Sequence, residues 1–205
     1  MKKILCFGDS NTYGFNPKNG SRFNEKIRWA GQIKEKLKNK FEIIEQGQNN
    51  RCGFTENIES IELSGGIAIE KYLKLSPDIV ILAIGINDLQ KIYKNDEKTI
   101  YEGLKSLILK IKSYGISNII LLTPSILKEN ILNSFFNSLF DEVSIEKSKK
   151  LPDIYKKLSE ELNVINIDLN KIAETSETDG LHYDEEGHKK IAEAVLNVLI
   201  SQKFD

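Results

Sequence analysis

Five short apolar runs punctuate the chain: KKILCFG (2–8), FEIIEQ (41–46), DIVILAIG (78–85), SNIILLT (117–123) and NVINID (163–168). They are continuous and rich in β-branched residues rather than alternating, which is the pattern of strands covered on both faces in a parallel sheet. Helical patterns fall between them. WAGQIKEKLKNK (29–40) sets Trp29, Ile33 and Leu37 four apart on one face. GIAIEKYLKL (66–75) is shorter. EKTIYEGLKSLILKIKSYG (97–115) is amphipathic and closes at Gly115, a C-cap residue type. PDIYKKLSEEL (152–162) opens with Pro152 at a first helical position, and a last helix is predicted from Asp184 to Ile200, acidic in its first turn. Strands alternating with helices mean βαβ crossovers and a three-layer α/β/α architecture. With no repeat, low-complexity tract or linker, residues 1–205 read as a single domain. The least regular segment, 124–150, carries Phe135, Phe136 and Phe140. It reads equally as a surface helix with a buried aromatic face and as a lid or wall over a site.

In an open parallel sheet, ligands bind beyond the carboxyl ends of the strands. The first run is followed by Gly8-Asp9-Ser10-Asn11-Thr12, the second by GQNNRCG (47–53), the third by GIND (85–88) and the fifth, ten residues on, by DGLH (179–182). Four segments thus bring small polar or catalytic residue types to one edge. A serine hydroxyl is a weak nucleophile until a base takes its proton. His182 is the strongest candidate base for Ser10, and Asp179 can orient its ring. The backbone N–H groups of Ser10 and Asn50 and the side-chain amide of Asn87 could serve as oxyanion donors. Asp9 reads as structural, bonding the N–H groups of its own turn. Asp88 reads as a cap, His188 as a surface or partly buried helix residue, and Trp29 as core.

Composition narrows the partners. The 29 basic and 30 acidic side chains leave a net charge of −1, which argues against nucleic acid or a membrane surface as partner. No apolar stretch reaches about 18 residues, so no membrane-spanning helix is expected. The run behind Met1-Lys2-Lys3 is shorter than the roughly 7–15 apolar residues of a signal peptide, so the expected compartment is the cytoplasm. Cys6 and Cys52 read as free thiols. Two histidines, without any C-x-x-C, offer no basis for a zinc site. No metal or other cofactor is expected.

GDSNT (8–12), GIND (85–88) and DGLH (179–182) resemble three of the four signature blocks of the SGNH, or GDSL-type, hydrolases, in the family's order and spacing across nearly the whole chain. RW-x-G (28–31) and the Gly-x-x-x-Arg of GQNNR (47–51) are similar to the small intracellular arylesterase and acyltransferase branch. The resemblance implies a flavodoxin-like sheet of five parallel strands. It implies Ser10 as nucleophile, His182 as base, Asp179 as its orienter, and oxyanion donors at Ser10, Asn50 and Asn87. Where the family often carries glycine as the second donor, this chain has Asn50, a residue that tolerates left-handed backbone. Gly53 is the alternative if the register slips. Asn11 stands where the branch can carry an apolar residue. Asn11, Phe15 and Leu181 are expected to contact substrate; Phe15 and Leu181 flank the proposed nucleophile and base and read equally as acyl-pocket wall and as plain core.

The expected activity is hydrolysis of short-chain, acetyl-type esters through an acyl-serine. Acyl transfer to alcohols, carbohydrate acetylesterase and thioesterase activity are alternatives on the same site. The expected partner is a small-molecule ester, and the resemblance leaves room for a homo-oligomer. A different class, Asp9-based phosphotransfer or a receiver domain, fits less well. Positions 10–12 offer Ser, Asn and Thr in place of a second carboxylate for Mg²⁺, Lys171 is only a loose match for the lysine after the fifth strand, and His182 is left without a role.

Overall fold

A computed structural model describes residues 1–202 and Phe204. Its five strands are β1 (Lys2–Gly8), β2 (Phe41–Gly47), β3 (Ile79–Ala83), β4 (Asn118–Thr123) and β5 (Ile165–Asp168). All pair in parallel, in the order β2-β1-β3-β4-β5. This is the flavodoxin-like α/β order. The direction of winding changes at β1, which pairs with β2 on one side and β3 on the other.

Side chains alternate between the faces of a strand, and both faces here are buried. Leu5 and Phe7 of β1, Val80 and Leu82 of β3 and Ile119 and Leu121 of β4 join one core. It is closed by α3 (Gly65–Ala68), α4 (Glu70–Leu73), α5 (Glu97–Ser113) and α7 (Leu151–Leu162). Ile4 and Cys6, Ile79 and Ile81, and Ile120 and Leu122 join the other, closed by α2 (Trp29–Leu37) and α8 (Glu185–Ser201). An unpaired polar side chain buried in either core would cost free energy, which is why the β1, β3 and β4 runs are mostly apolar on both faces rather than alternating. Burying each such side chain stabilises the fold by about 1.5–3 kcal/mol before the entropy cost.

Boundaries shift for local reasons. The fifth strand starts two residues late because Asn163 takes a left-handed backbone (φ +48°) as it closes α7. Pro152 follows Leu151, so it occupies the second helical position, not the first. The 66–75 segment is two one-turn helices meeting at Ile69. Segment 124–150 is not one helix. It forms 3-10 turns at Glu129–Asn133 and Phe135–Ser138, then α6 (Glu142–Ser148). Ser134 Oγ accepts the Phe136 N–H and Asp141 Oδ1 accepts the Ser144 N–H. Each side chain caps a new turn and so breaks a continuous helix. Among the described residues, no helix is long and apolar enough to cross a membrane.

Candidate active site

The site stands at the carboxyl ends of β1 and β3, where the winding changes. Gly8 ends β1, and a Cβ there would lie 2.1 Å from Thr12 Oγ1 and 2.4 Å from the Ala83 carbonyl. Its absence lets the chain fold back at once into α1 (Ser10–Tyr13). Asp9 caps that turn, its Oδ1 accepting the Asn11 N–H at 2.9 Å. Burial pushes the Asp9 carboxyl up to about 7, against the N–H of Asn11 and the charge of Arg51. Ser10 is the first residue of the turn, where a helix leaves its N–H unpaired. Among the described residues, that N–H makes no hydrogen bond.

Ser10 Oγ lies 2.8 Å from His182 Nε2, and His182 Nδ1 lies 2.7 Å from Asp179 Oδ2. A carboxylate can only accept, so Nδ1 carries the proton and Nε2 is left to accept from the hydroxyl. The other Asp179 oxygen accepts the N–H groups of Leu181 (3.0 Å) and His182 (2.9 Å). Burial alone would raise this carboxyl. The hydrogen bond from the His182 ring, with the two backbone N–H groups, outweighs it and holds Asp179 below the usual carboxylate range. Gly180 makes the loop possible. Its φ is +69°, and a Cβ would press within 3.0 Å of the Ile131 N and Lys128 O backbone atoms.

The three remaining donor candidates lie on neighbouring segments. Asn50, in the loop after β2, adopts φ +58°, and its N–H makes no hydrogen bond among the described residues. The Gly53 N–H is already committed to Asp88 Oδ2 at 2.5 Å. Asn87, just past β3, donates one amide hydrogen to the Arg51 carbonyl at 3.0 Å and keeps its second. Arg51 Nη1 in turn donates to the carbonyls of Gly8 (2.9 Å) and Gln46 (2.6 Å), tying the ends of β1 and β2 together.

Of the three residues expected at the substrate, Phe15 stacks against His182 with ring centroids 4.3 Å apart. Leu181 is turned into the core and buried. Both ends of the Asn11 amide are engaged. Nδ2 donates to Leu181 O (3.3 Å), and Oδ1 accepts from Tyr183 N (3.2 Å). Asn11 therefore staples the Ser10 turn to the His182 loop.

Other residues differ from expectation. Asp88 does not cap its own turn. Its carboxylate accepts the N–H groups of Gly53, Phe54 and Thr55 and so shapes the loop beyond Asn50. His188 is fully buried, not at the surface. Its position three, four and seven residues before the buried Ile191, Ala192 and Val195 placed it on the apolar face of α8. Phe136 packs on the His182 ring at 5.0 Å and on Phe15 at 5.8 Å, while Phe135 beside it is 85% exposed. Nothing local in the sequence separates the roles of these two adjacent rings. Cys6 and Cys52 are buried free thiols.

A family profile described as GDSL-like lipase/acylhydrolase matches residues 4–195. The chain belongs to this family. This GDSL-type hydrolase is similar to the inhibitor-bound aryl esterase of M. smegmatis, at 25% identity over 98% of its own length and 99% of that chain, with a TM-score of 0.90. It shares its fold with a carbohydrate acetylesterase family member from Sinorhizobium meliloti (24% identity, 98% of each chain, TM-score 0.89). It also shares its fold with a lipase/acylhydrolase from Enterococcus faecalis (20% identity, 100% of this chain and 99% of that one, TM-score 0.73). No curated protein matches the sequence. Membership of this family makes the chain an esterase-type hydrolase.

Proposed function

We infer that this hydrolase cleaves short-chain, acetyl-type carboxylic esters through an acyl-serine intermediate. The observation that carries the reading is the unbroken relay Ser10 Oγ, His182 Nε2, His182 Nδ1, Asp179 Oδ2, with both links under 3 Å. Ser10 Oγ attacks the ester carbonyl carbon as His182 Nε2 takes its proton. Asp179 holds the ring's orientation and stabilises the imidazolium. The carbonyl oxygen becomes an oxyanion facing the N–H groups of Ser10 and Asn50 and the free Asn87 amide hydrogen. Collapse breaks the bond to the alcohol oxygen, which leaves with the proton held on Nε2. Water, deprotonated by His182, then attacks the acyl-serine, and the acid departs as Ser10 regains its proton.

The short acyl preference rests on Phe15 and Phe136, whose rings pack on the His182 imidazole and on each other and so take up space beside the base. Ester substrates with an aryl alcohol fit the same reading, given the likeness to an aryl esterase and the Phe15 and Phe136 rings against His182. Small-molecule esters are the proposed partners. Hydrolysis of p-nitrophenyl acetate by the wild type and by Ser10→Ala tests the proposal. The variant is expected to lose the activity, and equal rates would overturn it.

A further inference from the structure

The two side-chain amides at the proposed oxyanion hole share one neighbour. Gln90 lies just past the 3-10 turn Asn87–Leu89 and is 3% exposed. Its Nε2 sits 2.7 Å from Asn50 Oδ1 and 3.2 Å from Asn87 Oδ1. An amide nitrogen carries two hydrogens, and both are used. The second anchor of Asn50 is Glu59, whose Oε2 accepts from Asn50 Nδ2 at 2.8 Å. The Asn50 carbonyl accepts from Asn57 Nδ2 at 2.9 Å.

These contacts have directional consequences. Asn87 points Nδ2 at the Arg51 carbonyl and Oδ1 at Gln90 Nε2. A flipped amide would set nitrogen against nitrogen and oxygen against oxygen, so Gln90 and Arg51 together fix the amide orientation and leave one Asn87 N–H uncommitted. Asn50 holds φ +58°, a backbone region that costs a non-glycine residue energy. Its side chain is gripped from both sides in that state, by Gln90 at the oxygen and Glu59 at the nitrogen. A glycine at this position would have no such handle.

We propose that Gln90 is a positioning residue for the oxyanion hole, fixing the Asn87 amide orientation and the left-handed Asn50 backbone through its two N–H groups. The proposal rests on the serine-esterase reading above. An oxyanion forms only in the transition state, so poor donor placement lowers kcat and leaves KM in place.

The test is steady-state hydrolysis of p-nitrophenyl acetate by Gln90→Met, which keeps the volume and loses both donors, and by Gln90→Glu, which keeps the shape and cannot donate when ionised. Thermal unfolding shows which of the two is folded at the assay temperature, and the folded one is read. The expected result is kcat lower by about tenfold, less than for loss of a direct donor, with KM within about twofold. In an Asn50→Gly background, measured against Asn50→Gly alone, the penalty of Gln90→Met should shrink because one of the two arms has nothing to hold. Unchanged kcat, a loss expressed in KM, or an undiminished penalty in the glycine background overturns the proposal. Ser10→Ala separates this from the larger claim. If that variant is inactive while Gln90→Met turns over normally, the esterase reading stands and the positioning role falls.

Discussion

Ser10 Oγ and His182 Nε2 lie 2.8 Å apart across 172 positions of sequence. Three devices close that distance. The glycine at the end of β1 lets Ser10 turn back over the sheet edge. Asp179 shapes the loop that presents the imidazole. Asn11 bonds that loop on both sides of His182, at the Leu181 carbonyl and the Tyr183 N–H. The catalytic proposal therefore depends on loop geometry as much as on residue type.

Asp179→Asn keeps the size of the side chain and removes its charge. It is expected to lower kcat by roughly 10³–10⁴-fold, because the amide can present a hydrogen to Nδ1 and select the wrong tautomer. A stability signature accompanies it. The folded-state Asp179 carboxyl is held below its usual range by His182 and two backbone N–H groups, despite burial. Its contribution is present above the ordinary carboxylate pKa and is lost as pH falls through the depressed folded value. Urea unfolding at neutral and acidic pH should show the gap between wild type and variant narrowing in acid.

Asn87→Ala removes the one side-chain donor proposed for the oxyanion. The expected loss is about 10²–10³-fold in kcat with KM little changed. Ground-state binding would be at fault instead if KM rose and kcat held. The Arg51 carbonyl and Gln90 amide also lose a partner, so unfolding should register a cost of about 1 kcal/mol.

The fold was legible because both faces of the sheet are covered, which makes each strand a run of apolar residues. The Ser10, Asp179 and His182 candidates were legible because each lies at or near a strand end in a short motif. Gln90 was not. A polar residue after a turn looks the same in sequence whether it faces water or bridges Asn50 and Asn87. The 124–150 sequence offers Phe135, Phe136 and Phe140 alike, and the contact of Phe136 with His182 depends on caps at Ser134 and Asp141 that divide the segment into separate turns. His188 shares the helical spacing of Ile191, Ala192 and Val195, and its burial is readable from that spacing although a polar residue type argues for the surface.

His188 sets a second pH dependence. Its burial lowers the imidazole from 6.5 to about 4, with the nearby His182 and Arg28 charges adding to the effect. The unfolded chain gains a proton below pH 6.5 that the folded chain refuses until about pH 4, so stability is lost as pH falls across that window. Asp9 acts in the opposite sense, since burial raises its carboxyl to about 7 and acid favours the folded form. The difference between wild type and His188→Gln isolates the imidazole. The wild type should lose about 2 kcal/mol more than the variant between pH 7 and pH 5. Equal losses by chemical denaturation would remove the assignment.

Glu45, on β2, pairs with Arg28 through Nε (2.6 Å) and Nη2 (3.1 Å) and with Arg22 at 2.8 Å. These bonds pin the loop that carries Phe15 over His182. The Arg28–Glu45 pair is 11% exposed on each side. Glu45→Gln should lower stability by about 1–3 kcal/mol, the partial exposure keeping it beneath the cost of a fully buried pair. A thermal melt provides the check, and an unchanged midpoint would show that the loop is held by other contacts.

The central claim is that Ser10 is a nucleophile activated by His182. Fluorophosphonate labelling read by intact-mass and peptide mapping addresses it most directly. One adduct on the Ser10 peptide is predicted, absent in Ser10→Ala and formed far more slowly in His182→Ala. An unlabelled Ser10 in folded wild-type protein, or labelling that is indifferent to His182, would contradict it.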